Sequence, residues 1–348
     1  MLYKSIYKSP LGILTLISDG DTLNYILFEN DRFYENIKLK AEELDLKIFS
    51  QTKNWLDKYF NGEKPNIDDI KIKLKGTPFQ IRVWNVLKNI SYGQTVTYKE
   101  LANKLSKPKS YRAVGYAVGH NPLPIIIPCH RVVGTDGSLT GYSGGIKNKV
   151  SLLIHEQNDM SKYFIPKNTK RCRWCSLDNP LYVKYHDLEW GVPNFDDKYL
   201  FEMLILESFQ AGLSWECILN KREYFKEAYD NFDIDKVIKY DENKINELLS
   251  NSKIIRNKLK VKASINNAKI FKNIQDEYGS FYNYLITFTN YKIICEVDKT
   301  TNFLSDVISK DLIKKGMKFT GSTIIYSYLQ ATGFIYSHDK ECFMYKNN

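Results

Sequence analysis

Ile125-Ile126-Ile127-Pro128-Cys129-His130-Arg131-Val132 places a lone cysteine between a proline and a histidine, directly after an apolar run. A thiol acts as a nucleophile only as thiolate, and an adjacent imidazole with an arginine nearby is a means of activating it. Working outward, residues 98 to 105 and 111 to 118 have helical spacing, with Lys107-Pro108 breaking it between them, which is the pattern of a helix-turn-helix. Thr77-Pro78 is a capping residue followed by proline at the first helical position. It opens a helix in which Phe79, Val83, Trp84 and Leu87 share a face. Before that lie helical periods at 31 to 46 and 51 to 60. The first 30 residues read as strands, 13 to 17 and 23 to 28 around a Gly20-Asp21 turn, giving a small antiparallel sheet.

The charge follows this organisation. Residues 1 to 75 carry 12 basic and 12 acidic side chains, 76 to 150 carry 10 and 2, and 151 to 348 carry 28 and 26. The net +10 therefore sits almost entirely in one central stretch, as a polyanion-binding face requires. A second basic run at 251 to 272 holds Lys253, Arg256, Lys258, Lys260, Lys262, Lys269 and Lys272 without one acid; a solvated helix face is the competing reading. At 348 residues the chain exceeds one typical domain of roughly 150 residues. No apolar run spans a membrane and the start lacks a signal-peptide core, so a cytoplasmic location is expected. The six cysteines are sparse, which suits thiols or ligands better than a disulfide framework.

The segment 125 to 133, with Arg112-Ala113-Val114-Gly115, Asn121-Pro122 and Gly141-Tyr142-Ser143-Gly144-Gly145, resembles the O6-alkylguanine-DNA alkyltransferase family over about residues 1 to 157. The resemblance implies that Cys129 accepts the alkyl group, His130 acts on the thiol through a water, Glu156 orients His130, and Tyr98 donates to the departing guanine oxygen. It further implies that Arg112 fills the stack vacated by a flipped base, Asn121 stabilises the turn leading to Cys129, and Tyr142 with Ser143 lines the guanine pocket. The thioether product is stable, so each molecule would act once. With no cysteine before position 129, no cysteine-ligated metal or methyl-sensing module is expected at the front, and the alkyltransferase needs no cofactor.

In the second half, where the spacing is mostly helical, Cys172 and His186 stand near the start and His338-x-x-x-Cys342 near the end. Four such ligands suit tetrahedral zinc, tying the ends of the domain together. Cys172-x-x-Cys175 is a competing metal or redox pair. The run 171 to 191, then Glu207, Gln210-Ala211-Gly212-Leu213-Ser214-Trp215, Ile254-Ile255-Arg256 and Lys318-Phe319-x-Gly321, closely resembles 3-methyladenine DNA glycosylase I over about 169 to 348. The resemblance implies structural zinc on Cys172, His186, His338 and Cys342, with Cys175 a bystander. Trp174, Tyr185, Trp190 and Trp215 would form the base pocket, Glu207 would be its acidic recognition residue, and Leu213 a wedge. It places a DNA-binding helix-hairpin-helix at about 252 to 262, with Lys253 and Arg256 near phosphates and Lys253 replacing a frequent glycine. No lysine matches a nucleophile position, so base release without strand cleavage is expected.

The expected architecture is thus multidomain α+β. Residues 1–75 form an α/β subdomain, 76–157 the catalytic and helix-turn-helix subdomain, 158–168 a linker, and 169–348 an all-α helix-hairpin-helix glycosylase domain. The expected partner is alkylated double-stranded DNA, with no membrane and no obligate protein partner. Two alternatives compete with bifunctional alkylation repair: a lesion sensor with one active half, and a helix-turn-helix regulator.

Overall fold

The computed structural model describes residues 1–29, 31, 33–166 and 169–345. The chain divides into two compact units, one from Met1 through Lys170 and the other Arg171–Tyr345.

In the first unit, β1 (Tyr3–Ser9), β2 (Gly12–Ser18) and β3 (Leu23–Phe28) form an antiparallel meander. All six residues of β3 are buried, because both faces of the sheet are covered. Leu14, Leu16 and Ile26 pack into the main core, while Ile17, Tyr25 and Leu27 pack with Ala41 on the other side.

The helix expected over 31 to 46 is shorter, α1 (Glu35–Lys40), and is followed by a two-residue strand β4 (Glu42–Glu43) paired parallel to β1. Two local preferences explain the difference. The Asp31 carboxylate accepts from the backbone N–H of Phe33 and Tyr34, which makes a turn rather than a helix. Ala41 is then buried against the sheet, drawing Glu42-Glu43 onto its edge.

The helix read at 51 to 60 begins earlier, as α2 (Lys47–Phe60), and buries Ile48, Phe49, Thr52, Trp55, Leu56 and Tyr59 at helical spacing. Then α3 (Pro78–Leu87) starts at a complete capping box between Thr77 and Gln80. Trp84 of α3 donates through Nε1 to Ala117 O at 2.8 Å. Ala117 lies on α5 (Tyr111–Gly119), which follows α4 (Tyr98–Lys104). β5 (Val96–Thr97) pairs parallel with β6 (Val132–Val133), and α6 (Ile146–His155) closes the unit. One core runs through both expected subdomains: Leu16, Phe49 and Tyr59 share it with Val83, Leu101, Val114 and Cys129.

The stretch expected as a linker is not free chain in its described part. Tyr163 and Ile165 are buried, and Leu139 N donates to Phe164 O at 3.0 Å. Apolar side chains at 163 and 165 hold it on the first unit; Lys167 and Asn168 lie outside the described residues.

The second unit is mainly helical: α7 (Pro180–Leu188), α8 (Asp197–Gln210), α9 (Trp215–Leu219), α10 (Arg222–Ala228), α11 (Ile234–Val237), α12 (Glu242–Ser250), α13 (Lys258–Tyr278) and α14 (Phe281–Thr289). It is not purely α. β7 (Ile294–Cys295) pairs parallel with β8 (Ile335–Tyr336) across α15 (Phe303–Lys314) and α16 (Ser322–Ala331). Two residues per strand carry too little periodicity for sequence to reveal. Helix α8 is apolar nearly all round and buries ten consecutive residues from Leu200 to Phe209, so it forms the centre of this unit. No helix of the described residues is long and apolar enough to cross a membrane.

Candidate active sites and metal centre

In the first unit, Cys129 begins a single 3-10 turn, Cys129–Arg131, and is 1% exposed. The turn is fastened by Asn121, whose Nδ2 donates to Ile127 O at 2.7 Å and to Cys129 Sγ at 3.1 Å, while its Oδ1 accepts from Leu123 N. Burial raises the thiol to about 11, against the opposing pull of Asn121 and Lys149, so the resting site holds a thiol.

Glu156, immediately after α6, is buried and accepts from four partners. His130 Nε2 is at 2.8 Å from Oε1, Tyr59 OH at 2.7 Å, Arg131 Nε at 2.9 Å from Oε2, and Gly93 N at 3.1 Å. Burial alone would raise this carboxyl, but the charge and hydrogen bonds of His130 and Arg131 hold it well below the usual carboxylate range. Since Glu156 is a carboxylate, His130 carries its proton on Nε2. Its buried Nδ1 has no hydrogen-bond partner among the described residues and is left as an acceptor. Burial keeps this imidazole below its ordinary range despite Glu156, so it is neutral near pH 7. Arg131, read from sequence as an activator of the thiol, instead spends its guanidinium on Glu156 and Ile90 O, since a buried carboxylate offers the stronger partner.

Tyr98 opens α4 and donates through OH to Thr140 O at 3.3 Å; burial, with the thiol nearby, raises it to about 12, so it keeps its proton. The Tyr142 ring lies edge-on to Phe28 at 6.0 Å, and its buried hydroxyl has no hydrogen-bond partner among the described residues. Ser143 is half-buried beside it. The loop carrying both lies so close to β3 that a Cβ on Gly144 would be 2.5 Å from the Phe28 ring, which explains the glycine there. Arg112 is exposed on the first turn of α5.

In the second unit, Cys172, His186, His338 and Cys342 are all buried, with one ligand atom from each lying within 4.8 Å of the others. Cys172 Sγ is 3.3 Å from His338 Nδ1, and Cys342 Sγ is 3.4 Å from His338 Nδ1 and 3.5 Å from His186 Nε2. A tetrahedral zinc ion would set each S···N edge at about 3.6 Å, so the donor set has the size and chemistry for that ion. Asp187 Oδ1 is 2.9 Å from His186 Nδ1 and is itself held by Arg171, which leaves Nε2 facing the centre of the cluster. A Cβ on Gly191 would be 3.0 Å from His338 Nε2, and its φ of +71° is a second reason for glycine. Cys175 is buried but outside the cluster, its Sγ 3.9 Å from Tyr182 O.

Beside this cluster is a cavity of about 550 Å³ lined by Trp174, Tyr182, Tyr185, Trp190, Glu207 and Trp215. The Trp174 and Trp190 rings meet edge-to-face at 4.7 Å, and Tyr185 meets Trp215 at 5.2 Å. Glu207 lies in the last turn of α8. Burial raises its carboxyl to about 8, and Oε2 has no hydrogen-bond partner among the described residues. Trp215 Nε1 is likewise unpaired. The cavity therefore offers an entering ring aromatic faces together with the Glu207 carboxyl and the Trp215 N–H, while Arg173, Asp298 and Asp339 also line it, and such a set of flat faces with a few polar groups suits a flat polar ligand. Leu213 is 40% exposed in the turn between α8 and α9.

The basic run at 251 to 272 is less free than its sequence implies. Lys260 is buried, Lys262 pairs with Glu242 at 2.8 Å, and Lys272 lies near Asp235 and Asp276. Lys253, Arg256 and Lys258 are exposed around the turn between α12 and α13; the Lys253 ammonium also sits over the Tyr224 ring.

Family comparison divides the chain along the same lines. Residues 2–74 match the ribonuclease-like domain of 6-O-methylguanine DNA methyltransferase, 78–158 its DNA-binding domain, and 174–345 methyladenine glycosylase. The methylated-DNA–protein-cysteine methyltransferase of Haemophilus influenzae is 39% identical over 53% of this chain and 98% of its own. DNA-3-methyladenine glycosylase 1 of Escherichia coli is 40% identical over 51% of this chain and 98% of its own. The chain belongs to both families. A crystal structure of 3-methyladenine DNA glycosylase I is also similar, at 38% identity over 51% of this chain and 100% of that one, with a TM-score of 0.49.

Several residues of these two sites were not read from the sequence. In the methyltransferase half, Tyr59 reaches Glu156 from 97 positions away, and nothing local marks it. Lys149, buried in α6, donates to Val132 O at 2.6 Å and Thr140 O at 3.1 Å, and burial lowers it to about 8. The apolar neighbours Val150, Leu152 and Leu153 were the available sign that this lysine faces inward. In the glycosylase half, Asp187 lies in the run that carries the family likeness but was given no role; it follows directly on His186 of the Cys and His cluster, the usual place for a carboxylate that orients a histidine. Tyr182 lines the cavity although it was noted only as part of the family likeness.

Proposed function

We infer that this chain repairs alkylated DNA by two chemistries, one in each unit. In the first, Cys129 Sγ attacks the alkyl carbon of a flipped O6-alkylguanine. The S–C bond forms as the C–O bond breaks; the thiol proton passes through a water to His130 Nδ1, the departing guanine takes a proton from Tyr98 OH, and the proton held on the imidazolium returns through water to restore Tyr98, so that no net proton is gained or lost. Glu156 keeps His130 in the tautomer that can accept, and stabilises the imidazolium once formed. The products are guanine and an S-alkyl cysteine, and no second thiol is present in this unit to remove the group.

In the second unit, a flipped 3-methyladenine enters the aromatic cavity. Its cationic ring stacks on the indole and phenol faces, and Glu207 accepts from its exocyclic amine. Alkylation has already weakened the glycosidic bond, so water cleaves it and leaves an abasic site. No lysine lines the cavity among the described residues, which fits hydrolysis without a Schiff base. Zinc on Cys172, His186, His338 and Cys342 would fasten the chain ends of this unit and supply structure, not catalysis.

DNA is engaged by α4 and α5 acting as a helix-turn-helix in the first unit, with Arg112 entering the vacated stack. In the second unit it is engaged by α12 and α13 acting as a helix-hairpin-helix, with Lys253 and Arg256 toward phosphates. The reading rests on one observation: a single chain holds both a buried Cys129–His130–Glu156 relay with an unpaired Nδ1 and an aromatic cavity with an unpaired carboxyl. Mass spectrometry of the chain after incubation with O6-methylguanine duplex tests the first half. One added methyl on the peptide containing Cys129 is expected, and methylation elsewhere, or none, overturns it.

A further inference from the structure

Lys260 belongs to the basic run 251 to 272, for which the sequence leaves a polyanion-binding surface and a solvated helix face both open, yet it is 7% exposed. Its Nζ donates to Phe209 O at 2.8 Å and to Ala211 O at 2.6 Å. These carbonyls stand at the C-terminal end of α8, where helix carbonyls lack intrahelical partners and a cation is favoured. The backbone N–H of the same residue donates to Asn257 Oδ1 at 3.1 Å, which caps the start of α13. One side chain thus joins the first turn of α13 to the last turn of α8.

A second bond runs the opposite way. Lys221, just before α10, donates through Nζ to Lys253 O at 2.9 Å in the turn between α12 and α13. The two lysine–carbonyl contacts bracket the segment from Ala211 to Lys221. Within it lie Gly212 at φ +80°, the part-exposed Leu213, Ser214 capping α9, and Trp215 in the cavity wall. Farther along the buried side of α13, Asn267 Nδ2 donates to Lys318 O at 2.8 Å, so this helix also holds the loop before α16.

We propose that Lys260, supported by Lys221, is a positioning residue that locks the 251 to 257 turn to the Leu213 loop, so that gripping DNA and wedging it open occur as one rigid step. The proposal rests on the glycosylase reading above and assigns Lys260 no contact with the base or with phosphate. A lysine is suited to the task because an unbranched chain can bury its methylenes while its ammonium satisfies two carbonyls at a helix end.

The test compares wild type, Lys260→Met and Lys260→Arg by three measurements: the single-turnover rate of 3-methyladenine release from methylated duplex, the affinity for undamaged duplex, and the affinity for free 3-methyladenine followed by tryptophan fluorescence. For Lys260→Met the release rate should fall on the order of tenfold or more, as small misplacements of reacting groups do. Both affinities should stay within about twofold, and Lys260→Arg should restore most of the rate. A Lys260→Met protein that loses free-base affinity along with rate, or keeps all three, overturns the proposal. If Lys260→Met does not fold, Lys221→Met carries the same test, with a smaller loss of rate and the same two overturning results. A wild-type chain that releases no 3-methyladenine overturns the glycosylase reading itself, and the coupling with it.

Discussion

At Glu207 a single buried carboxyl sets a pH dependence for the glycosylase unit. Burial holds it protonated to about 8, against an ordinary value of 4.5. Between those values the folded unit keeps a proton that the unfolded chain has released, so stability declines as pH rises through that window, by up to roughly 1.4 kcal/mol per pH unit. Glu207→Gln removes the slope. Unfolding followed at pH 5 and pH 8 should show the variant gaining on wild type at the higher pH; parallel behaviour at both would contradict the assignment. His130 presents a different kind of residue-scale fact. Its place beside Cys129 was legible, but which nitrogen faces the thiol side was not, because that depends on Glu156, which is 26 positions away.

Between elements, the buried carboxylate behind His130 is shared property. Helix α2 sends Tyr59 OH to Glu156, and His155 at the end of α6 sends Nε2 back to Tyr59 O at 2.7 Å. The N-terminal part of the chain, which holds none of the reacting groups, therefore sets the electrostatics behind the nucleophile. Tyr59→Phe removes one hydrogen bond to a buried anion and should lower the unfolding free energy of this unit by about 1.5–3 kcal/mol, measured by denaturant titration. A change below about 0.5 kcal/mol would show that the bond contributes nothing. Elements with strong local signals were legible: the Thr77-Pro78 helix start, the α4 and α5 spacing, and the first three strands. Those set by tertiary contact were not. Glu42-Glu43 becomes a strand only because β1 offers an edge, and Tyr163 and Ile165 are buried through tertiary contacts, among them that of Tyr163 OH with Thr95 Oγ1. The burial of Lys260 was not legible for the same reason, since a run of lysines does not show which one turns inward.

For the whole molecule, each unit is compact by itself and carries its own site, and among the described residues the Cys and His cluster that could hold a metal ion lies in the second unit. Elemental analysis should therefore find one zinc per wild-type chain and none in Cys342→Ser. Loss of the metal should lower the melting transition of the glycosylase unit and leave that of the alkyltransferase unit in place. Full zinc in the variant, or a shift of both transitions together, would contradict this division. The basic excess of 76 to 150 falls on the stretch that matches the methyltransferase DNA-binding domain, while in the second unit ion pairs with Glu242, Asp235 and Asp276 reduce the apparent surplus. The most direct test of two chemistries in one chain uses duplex DNA bearing radiolabelled methyl lesions, with label counted both on the protein and as free base. The account predicts protein-bound label that saturates at one methyl per chain and is abolished by Cys129→Ala, together with free 3-methyladenine that Cys129→Ala leaves untouched and Glu207→Ala or Trp215→Ala removes. Only one kind of product from the wild-type chain, or both lost together with Cys129→Ala, would contradict it.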